Sequence, residues 1–253
     1  MRNYRSKIKL PNGKYAYTQT DVFKDRGCNI KREILKRWTP PKYFYHYKNG
    51  GHLSATRAHL NGELFTKIDI KAFYPSITKN KIIRSLKKTK ISRTNTFEFA
   101  AESVVSAEGK LVLPYGFVQS PIISSLVLHK SCVGRIFDNC PNSLKMTVYV
   151  DDIIISSTKA NIDTLKNYGE QLCIAVNQAN FKINKEKSIF EVPKIEAFNI
   201  NISHNDMDIT KEKMSDFYKR VKADPASNEA LGITNYVKQV NQQQGKFLDS
   251  LMP

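Results

Sequence analysis

Two adjacent carboxylates, Asp151 and Asp152, interrupt a run of residues that otherwise favour β-strands. Strand-forming residues flank the pair on both sides, so the pattern predicts a hairpin with the aspartates at or beside its tip. Glycine and asparagine suit a tight turn better, which indicates that the pair is kept for its charge. Adjacent carboxylates repel each other unless a cation lies between them, and such oxygen ligands suit Mg²⁺ or Mn²⁺. A solvated acidic turn is the alternative for an isolated pair.

A third carboxylate, Asp69, lies near the end of residues 64–70, which have the composition of a strand. The alternation of side chains puts Phe65, Lys67 and Asp69 on one face of that strand. A lone charge is costly at the end of a central strand. Asp69 is therefore a candidate partner of the later aspartate pair.

A loop with the order Pro-x-Gly leads into a predicted helix. Residues 113–121 read Leu-Pro-Tyr-Gly-Phe-Val-Gln-Ser-Pro, and apolar residues follow at helical spacing. Ser120 is predicted to be the N-cap, with Pro121 in the first turn. Such a loop lets the backbone approach a ligand closely, and a helix N-terminus favours anions.

These three segments occur in the order and approximate spacing of reverse transcriptase motifs. Over residues 64–202 the chain resembles the small reverse transcriptases of prokaryotes, the group that includes retron, group II intron and defence-associated enzymes. The resemblance implies an α+β, right-hand polymerase fold with an antiparallel palm sheet, N-terminal fingers and a short helical thumb. We predict basic fingers over residues 1–62, a palm with the remaining fingers over 63–205, and a thumb-like tail over 206–253.

The resemblance also implies a catalytic metal site. Asp69 and Asp151 would hold two divalent metals, with Asp152 beside them and the backbone carbonyl of Ile70 as a further ligand. Phosphoryl transfer independently requires two cations about 3.5–4 Å apart, one for the primer 3′-hydroxyl and one for the triphosphate. We therefore expect two Mg²⁺ ions per site, with Mn²⁺ as a substitute.

Several substrate contacts follow from the same motifs. Phe73 and Tyr74 match an aromatic pair, and Tyr74 occupies the position of a gate against the ribose 2′-hydroxyl, which implies deoxynucleotides. A packed core tyrosine is the alternative. Tyr115 replaces the glutamine of the Pro-Gln-Gly motif found in many relatives. Either Tyr115, beside Gly116, or Gln119 is therefore expected to act at the template or the incoming base.

Three cations complete the predicted site. Lys187 lies where the family carries a lysine that protonates the departing pyrophosphate. Lys67 and Arg57 are candidates for the triphosphate by charge and proximity in sequence, and salt bridges are the equal alternative for both.

The composition of the chain indicates which kinds of partner and cellular location to expect. The 253 residues include 40 Lys+Arg against 23 Asp+Glu, a formal net charge of +17, which a polyanion such as nucleic acid would neutralise. No apolar run approaches the roughly 20 residues of a membrane span, and no signal peptide is predicted.

The four cysteines lack a Cys-x-x-Cys pair, so we expect free thiols in the cytoplasm. Of the five histidines, His46, His52 and His59 cluster without a cysteine at zinc spacing, which favours structural roles.

Local patterns predict the remaining elements. A helix is expected from Thr78, with basic residues at 79, 81, 84, 87, 88 and 90 that either follow a phosphate backbone or form a solvated face. Other expected elements are a helix around 31–37, a helix over 162–179, strands at 188–192 and 197–202, and helices from 210 and 231. The Asn/Gln-rich residues 235–244 are interpreted as polar surface.

The predicted reaction is Mg²⁺-dependent addition of deoxynucleotides to a 3′ end, copying RNA. A compact enzyme of this kind resembles a retron or an antiphage defence component that uses a non-coding RNA, and a partner subunit or the enzyme's own oligomer would help to hold the duplex. Two rivals are an RNA-dependent RNA polymerase and an inactive RNA-binding scaffold with the same fold.

Overall fold

The computed structural model describes residues 2–10 and 13–253, which form two compact units. Unit 1 comprises Met1–Phe44, Asp69–Cys140 and Glu170–Asn184, and unit 2 comprises Tyr45–Ile68, Pro141–Gly169 and Lys185–Pro253. Each unit is therefore built from three separate stretches of chain.

The described residues contain eleven strands and ten α-helices. The strands are β1 (Tyr4–Lys9), β2 (Tyr15–Gln19), β3 (Leu64–Asp69), β4 (Val105–Ala107), β5 (Lys110–Val112), β6 (Lys145–Tyr149), β7 (Asp152–Ser157), β8 (Ile189–Val192), β9 (Lys194–Ala197), β10 (Ile200–Ser203) and β11 (Asp206–Ile209). The helices are α1 (Asp21–Leu35), α2 (Gly51–Arg57), α3 (Lys79–Leu86), α4 (Arg93–Glu102), α5 (Ser120–His129), α6 (Cys132–Asp138), α7 (Ile162–Gln178), α8 (Lys211–Ala223), α9 (Asn228–Val240) and α10 (Gln242–Asp249).

Unit 1 is mainly helical and is built around α5. Because α5 is apolar on nearly all sides, eight of its ten residues are buried, as expected of an inner helix. The predicted helix after Thr78 is confirmed as α3: the Thr78 hydroxyl accepts a hydrogen bond from Lys81 N, and Ile82 and Leu86 are buried. The helix expected around 31–37 is the end of the longer α1.

Unit 2 contains the main sheet, with strand order β6-β7-β3-β8. The β6–β7 and β3–β8 pairs are antiparallel. Glu63 N, just before β3, donates to Ser157 O at the end of β7, so these neighbours also run in opposite directions. Phe65 of β3 and Ile154 of β7 belong to an apolar cluster that includes α8, α9 and the C-terminal Leu248.

The second sheet of unit 2 corrects one of the predicted strands. The strand predicted at 188–192 is confirmed as β8, but in place of one strand at 197–202 the chain forms β9 and β10, and with β11 these two make a three-stranded antiparallel sheet of order β11-β10-β9. Turns of only two residues separate β9 from β10 and β10 from β11, which is too short to be seen in a window of apolar residues. In the Asn/Gln-rich stretch, Asn235, Gln239, Gln242 and Gln243 are exposed, as expected of polar surface. Two side chains have structural roles in addition: Asn241 caps α10, and the Gln244 amide bonds both the N–H and the carbonyl of Ile209.

Within the described part of the chain, no helix combines the length and the apolarity that crossing a bilayer requires. All four cysteines are free thiols, as expected.

Candidate active site

The aspartate pair lies at the turn between β6 and β7, as the sequence predicted. Tyr149 pairs with Asp152, so Val150 and Asp151 form the two-residue turn and Asp152 begins β7. Val150 adopts φ 59°, a left-handed conformation that is strained for a β-branched residue. The strain indicates that the surrounding structure holds this turn in a conformation that the valine itself disfavours.

Histidines of unit 2 brace this turn. The Val150 N–H donates to His46 Nδ1 over 3.3 Å, and burial lowers the pKa of His46 to about 4, which keeps its ring neutral. Below the turn, the fully buried His59 bridges the two strands, with Nδ1 2.7 Å from Ser156 Oγ on β7 and Nε2 2.8 Å from Thr147 Oγ1 on β6. The sequence signal for these roles was only the clustering of histidines before the first motif.

Lys67 pairs with the hairpin. Its ammonium lies 3.4 Å from Asp152 Oδ1 and donates to the backbone carbonyl of Glu196 over 3.0 Å. Both side chains are mostly buried, so the pair is only weakly screened by water. Of the two alternatives for Lys67, the structure therefore contains the salt bridge.

In unit 2, Arg57 is hydrogen-bonded to the main chain, whereas Lys187 lies in an exposed turn. The exposed Arg57 donates from Nη2 to the carbonyl of Gln239, which lies near the end of α9, over 2.5 Å. Its guanidinium is thus bonded to the main chain of α9. Lys187 lies in an exposed turn just before β8.

Asp69 and Ile70 are held in unit 1 by residues 182–184. Asp69 is only 9% exposed; its backbone carbonyl accepts from Asn184 N over 2.9 Å, and Lys71 N donates to Lys182 O over 2.8 Å. These two bonds flank an antiparallel bridge between Ile70 and Ile183. In such a non-hydrogen-bonded pair, the carbonyl of Ile70 points away from Ile183.

The aromatic residues of unit 1 form a connected group. Phe73 is buried against Phe181, with ring centroids 5.7 Å apart, and against Tyr74 at 5.8 Å. Tyr74 meets Tyr115 edge to face, with centroids 4.8 Å apart and an interplanar angle of 89°. Tyr115 therefore contacts Tyr74, the residue that the sequence predicted to be the sugar gate.

The Pro-Tyr-Gly loop is fixed against β2. Tyr17 N donates to Tyr115 O over 2.9 Å, and Gly116 adopts φ 94°, so close to Tyr17 that a Cβ would overlap the Tyr17 carbonyl oxygen. The predicted cap is displaced by one residue: Gln119 is the N-cap of α5, and the Ser120 hydroxyl instead donates to the Pro114 carbonyl over 2.7 Å. Ser120 therefore closes the loop.

Gln119 is part of the interior of unit 1. Its side chain is fully buried; Oε1 accepts from Gln19 Nε2 over 3.2 Å, and Nε2 donates to Ser103 Oγ over 3.3 Å. The buried amide is used to join β2 and the residue after α4 to α5. This position does not fit the expectation that Gln119 reaches a base.

A cavity of about 390 Å³ opens beside the Pro-Tyr-Gly loop in unit 1. Its lining includes Pro114, Tyr115 and Pro75, and two cations, Lys14 and Lys110, against one carboxylate, Glu108. The mixture of aromatic surface and cations suits a nucleotide, whose base stacks and whose phosphates are anionic.

The carboxylates have the donor chemistry that divalent cations require. Asp69, Asp151 and Asp152 offer only oxygen ligands, which suit Mg²⁺ and Mn²⁺. Among the residues that the structure describes, no three His, Cys, Asp or Glu side chains are grouped around a single ion position. The match between these aspartates and a divalent cation therefore rests on the chemical type of the donor atoms.

An antiparallel sheet with an aspartate pair at a hairpin turn, flanked by helices, is the arrangement expected of an α+β nucleic-acid polymerase. The sequence pattern of the family described as "Reverse transcriptase (RNA-dependent DNA polymerase)" matches residues 21–248, so the chain belongs to the reverse transcriptase family. Members of this family generally use divalent metal ions.

Two solved structures share the fold. One is the foamy viral protease-reverse transcriptase in complex with double-stranded DNA, with a TM-score of 0.50 and 17% identity over 92% of this chain and 35% of the other. The second is telomerase from Candida albicans in complex with a fragment of telomeric RNA, with a TM-score of 0.51 and 12% identity over 90% of this chain and 47% of the other. The chain thus spans less than half the length of either. No curated protein matches the sequence.

Proposed function

We propose that the chain is an RNA-directed DNA polymerase that adds deoxynucleotides to a 3′ end by two-metal phosphoryl transfer. The observation that carries the proposal is the strained turn that presents Asp151 beside Asp152, in the sheet that also contains β3. Asp69 ends β3, and family membership supports the assignment of these three aspartates to one site. In this proposal the fingers, palm and thumb correspond to residues 1–62, 63–205 and 206–253.

The proposed metal ligands are Asp69, Asp151 and the carbonyl of Ile70, with Asp152 beside them. When bound, two Mg²⁺ ions, or Mn²⁺ in their place, would activate the 3′-hydroxyl and neutralise the leaving pyrophosphate. The chain's own contribution is to hold the ligands: His46 and His59 fix the hairpin, and the Lys67 ammonium offsets the charge of Asp152.

We further propose that Tyr74 excludes ribonucleotides and that Tyr115 holds it in place. Their edge-to-face contact supports this role, because it fixes the Tyr74 ring on one side. The adjacent cavity, which also contains Lys14, would take the incoming deoxynucleotide. Lys187, exposed on unit 2, is the proposed proton donor to pyrophosphate. Gln119, Lys67 and Arg57 are left out of the substrate site because each is engaged within the protein.

The proposed template is a structured non-coding RNA, in a retron-like or antiphage defence system. The resemblance of the motifs to small prokaryotic reverse transcriptases supports this assignment, and the net charge of +17 supports a nucleic-acid partner. A partner subunit or a second copy of the chain would share in holding the duplex.

The test is nucleotide incorporation by the purified protein, supplied with a primed RNA template, each labelled dNTP and Mg²⁺. The variant Asp151→Asn/Asp152→Asn should lose activity by on the order of a thousandfold or more, because the amides cannot hold cations in the same way. The control Asp163→Asn/Asp206→Asn, which makes the same chemical change at two exposed surface positions, should keep full activity. Equal incorporation by the wild type and the Asp151/Asp152 variant would instead favour an RNA-binding scaffold.

Substrate choice separates the remaining rival, an RNA-dependent RNA polymerase. The wild type should incorporate dNTPs in preference to rNTPs, and Tyr74→Ala should reduce that preference, because the smaller side chain leaves room for the 2′-hydroxyl. A wild-type preference for rNTPs would overturn the assignment of deoxynucleotides.

A further inference from the structure

A second concave surface of unit 1 is strongly basic. Its volume is about 240 Å³, and we call it the basic pocket. Its lining includes Ser85, Ser131, the segment 178–181 and four cations, which are Lys81, Arg84, Lys88 and Lys130. Among the described residues that line the pocket, none is acidic. The pocket is therefore a local concentration of positive charge within a chain that is basic as a whole.

Three of these cations lie on one face of α3 and its continuation. Lys81, Arg84 and Lys88 are spaced i, i+3 and i+7, and Lys88 N donates to Ser85 O, so the turn after α3 keeps nearly the same direction. With a rise of 1.5 Å per residue, the row is about 10 Å long. One strand of a nucleic-acid duplex carries about three phosphates over that axial distance.

Two of the lysines are held in position by the protein. Lys81 Nζ donates to the Asn180 carbonyl over 2.9 Å and lies 3.7 Å from the centre of the Phe181 ring, while Lys88 Nζ donates to the Lys130 carbonyl over 2.6 Å. An ammonium has three donors, so one such bond orients the group and leaves others for a ligand. An ordinary solvated lysine has no such restraint.

The four cations of the basic pocket form no salt bridges among the described residues. None of the salt bridges found among residues 2–10 and 13–253 involves these four side chains. Partial burial lowers the pKa of Lys81 to about 8, because the charged form has lost part of its hydration. A phosphate in the pocket would restore the favourable environment of that charge.

We propose that the basic pocket binds backbone phosphates of the nucleic acid, through residues distinct from those of the aspartate hairpin and the Tyr115 cavity. The row of cations fits a chain of phosphates better than a single small anion, because it extends along α3. Contacts of this type are independent of sequence and position the nucleic acid. The inference rests on the nucleic-acid partner of the proposed function, although it does not require catalysis.

The test is binding of a labelled hairpin RNA, without nucleotides, over a series of salt concentrations. The protein carries Asp151→Asn/Asp152→Asn, so that catalysis plays no part. The pocket variant is Arg84→Gln/Lys88→Gln/Lys130→Gln, and Lys81 is kept because it bonds the Asn180 carbonyl. The control Lys79→Gln/Lys87→Gln/Lys90→Gln removes the same charge from the same helix and the turn after it, but outside the pocket.

The pocket variant should bind RNA on the order of a hundredfold more weakly near 0.15 M salt. Its plot of log affinity against log salt should flatten by about 0.9 for each phosphate that the protein no longer neutralises. The control should stay within about threefold, because exposed charges without a fixed ligand are screened. Circular dichroism should show both variants folded. If the triple variant unfolds, Arg84→Gln/Lys130→Gln keeps the Lys88 bond to the main chain and should flatten the slope about two-thirds as much.

Two results would overturn the proposal. Equal weakening by both variants would mean that only the overall charge matters. If the pocket variant loses affinity for pyrophosphate or inorganic phosphate but binds RNA as the wild type does, the pocket is a small-anion site. Failure of the proposed function is distinguishable, since a protein inactive with dNTPs could still show pocket-dependent RNA binding.

Discussion

His59 is predicted to be a main support of the aspartate hairpin, and His59→Leu tests this. Leucine approximately fills the space but cannot hydrogen-bond, so the buried hydroxyls of Thr147 and Ser156 both lose their partner. An orphaned buried polar group costs about 1–3 kcal/mol, so the free energy of unfolding should fall by about 2–6 kcal/mol. Urea unfolding followed by circular dichroism measures this change.

A mutant cycle separates the hydrogen bonds from packing. In the background Thr147→Val/Ser156→Ala the hydroxyls are already absent, so His59→Leu should cost far less there than in the wild type, because no polar group is orphaned. The difference between the two costs should be at least about 2 kcal/mol. Equal costs in both backgrounds, within about 0.5 kcal/mol, would refute the bridging role.

The same residue predicts a pH dependence. Burial, followed by the charge of Lys145, lowers the pKa of His59 from its ordinary 6.5 to about 3. Below pH 6.5 His59 is therefore protonated in the unfolded chain but stays neutral in the folded protein. The contribution of His59 to the free energy of unfolding is complete above that pH and decreases as the pH falls. At pH 5 the loss is about 2 kcal/mol from His59, with His46 acting in the same direction. The variant His59→Leu should show a shallower decline between pH 7 and 5, and an unchanged decline would contradict the assignment.

Glycine positions supply further predictions, each measured by thermal or urea unfolding. Gly116→Ala should lower the free energy of unfolding by about 1–3 kcal/mol or more, because alanine is strained at φ 94° and its Cβ would overlap Tyr17 O. An unchanged free energy of unfolding would show that the loop can move. Gly232→Ala, in open space within α9, should stabilise by about 0.5–1 kcal/mol through helix propensity. Gly245→Ala should instead destabilise by about 1–3 kcal/mol, because its Cβ would lie 2.7 Å from the Lys238 Cα, and a gain there would refute the packing argument.

Local sequence was sufficient for the elements that carry the aspartates. The flanking β-branched residues predict the hairpin, and the observed register puts Asp151 in the turn and Asp152 at the start of β7. Thr78 and the apolar spacing after it likewise predict α3, and Asn180, with φ 56°, follows the end of α7. These features depend on residues within a few positions of one another, since strand alternation and helix capping are local effects.

Tertiary structure decided which of the remaining candidates face a ligand and which serve the interior. Gln119 and Arg57 had plausible side chains for substrate binding, yet one is buried between Gln19 and Ser103 and the other bonds the Gln239 carbonyl. Nothing local distinguishes these outcomes, because the partners are 16 to 182 residues away in sequence.

The sequence by itself therefore determined the family, the hairpin with its paired carboxylates and the strand that ends at Asp69. Only the tertiary structure decided that His59 joins β6 to β7, that Tyr115 contacts Tyr74, and that cations from α3 and the end of α5 line one pocket. The physical reason is that periodicity and capping specify which face of an element is apolar, whereas the choice of partner across that face depends on how distant segments pack.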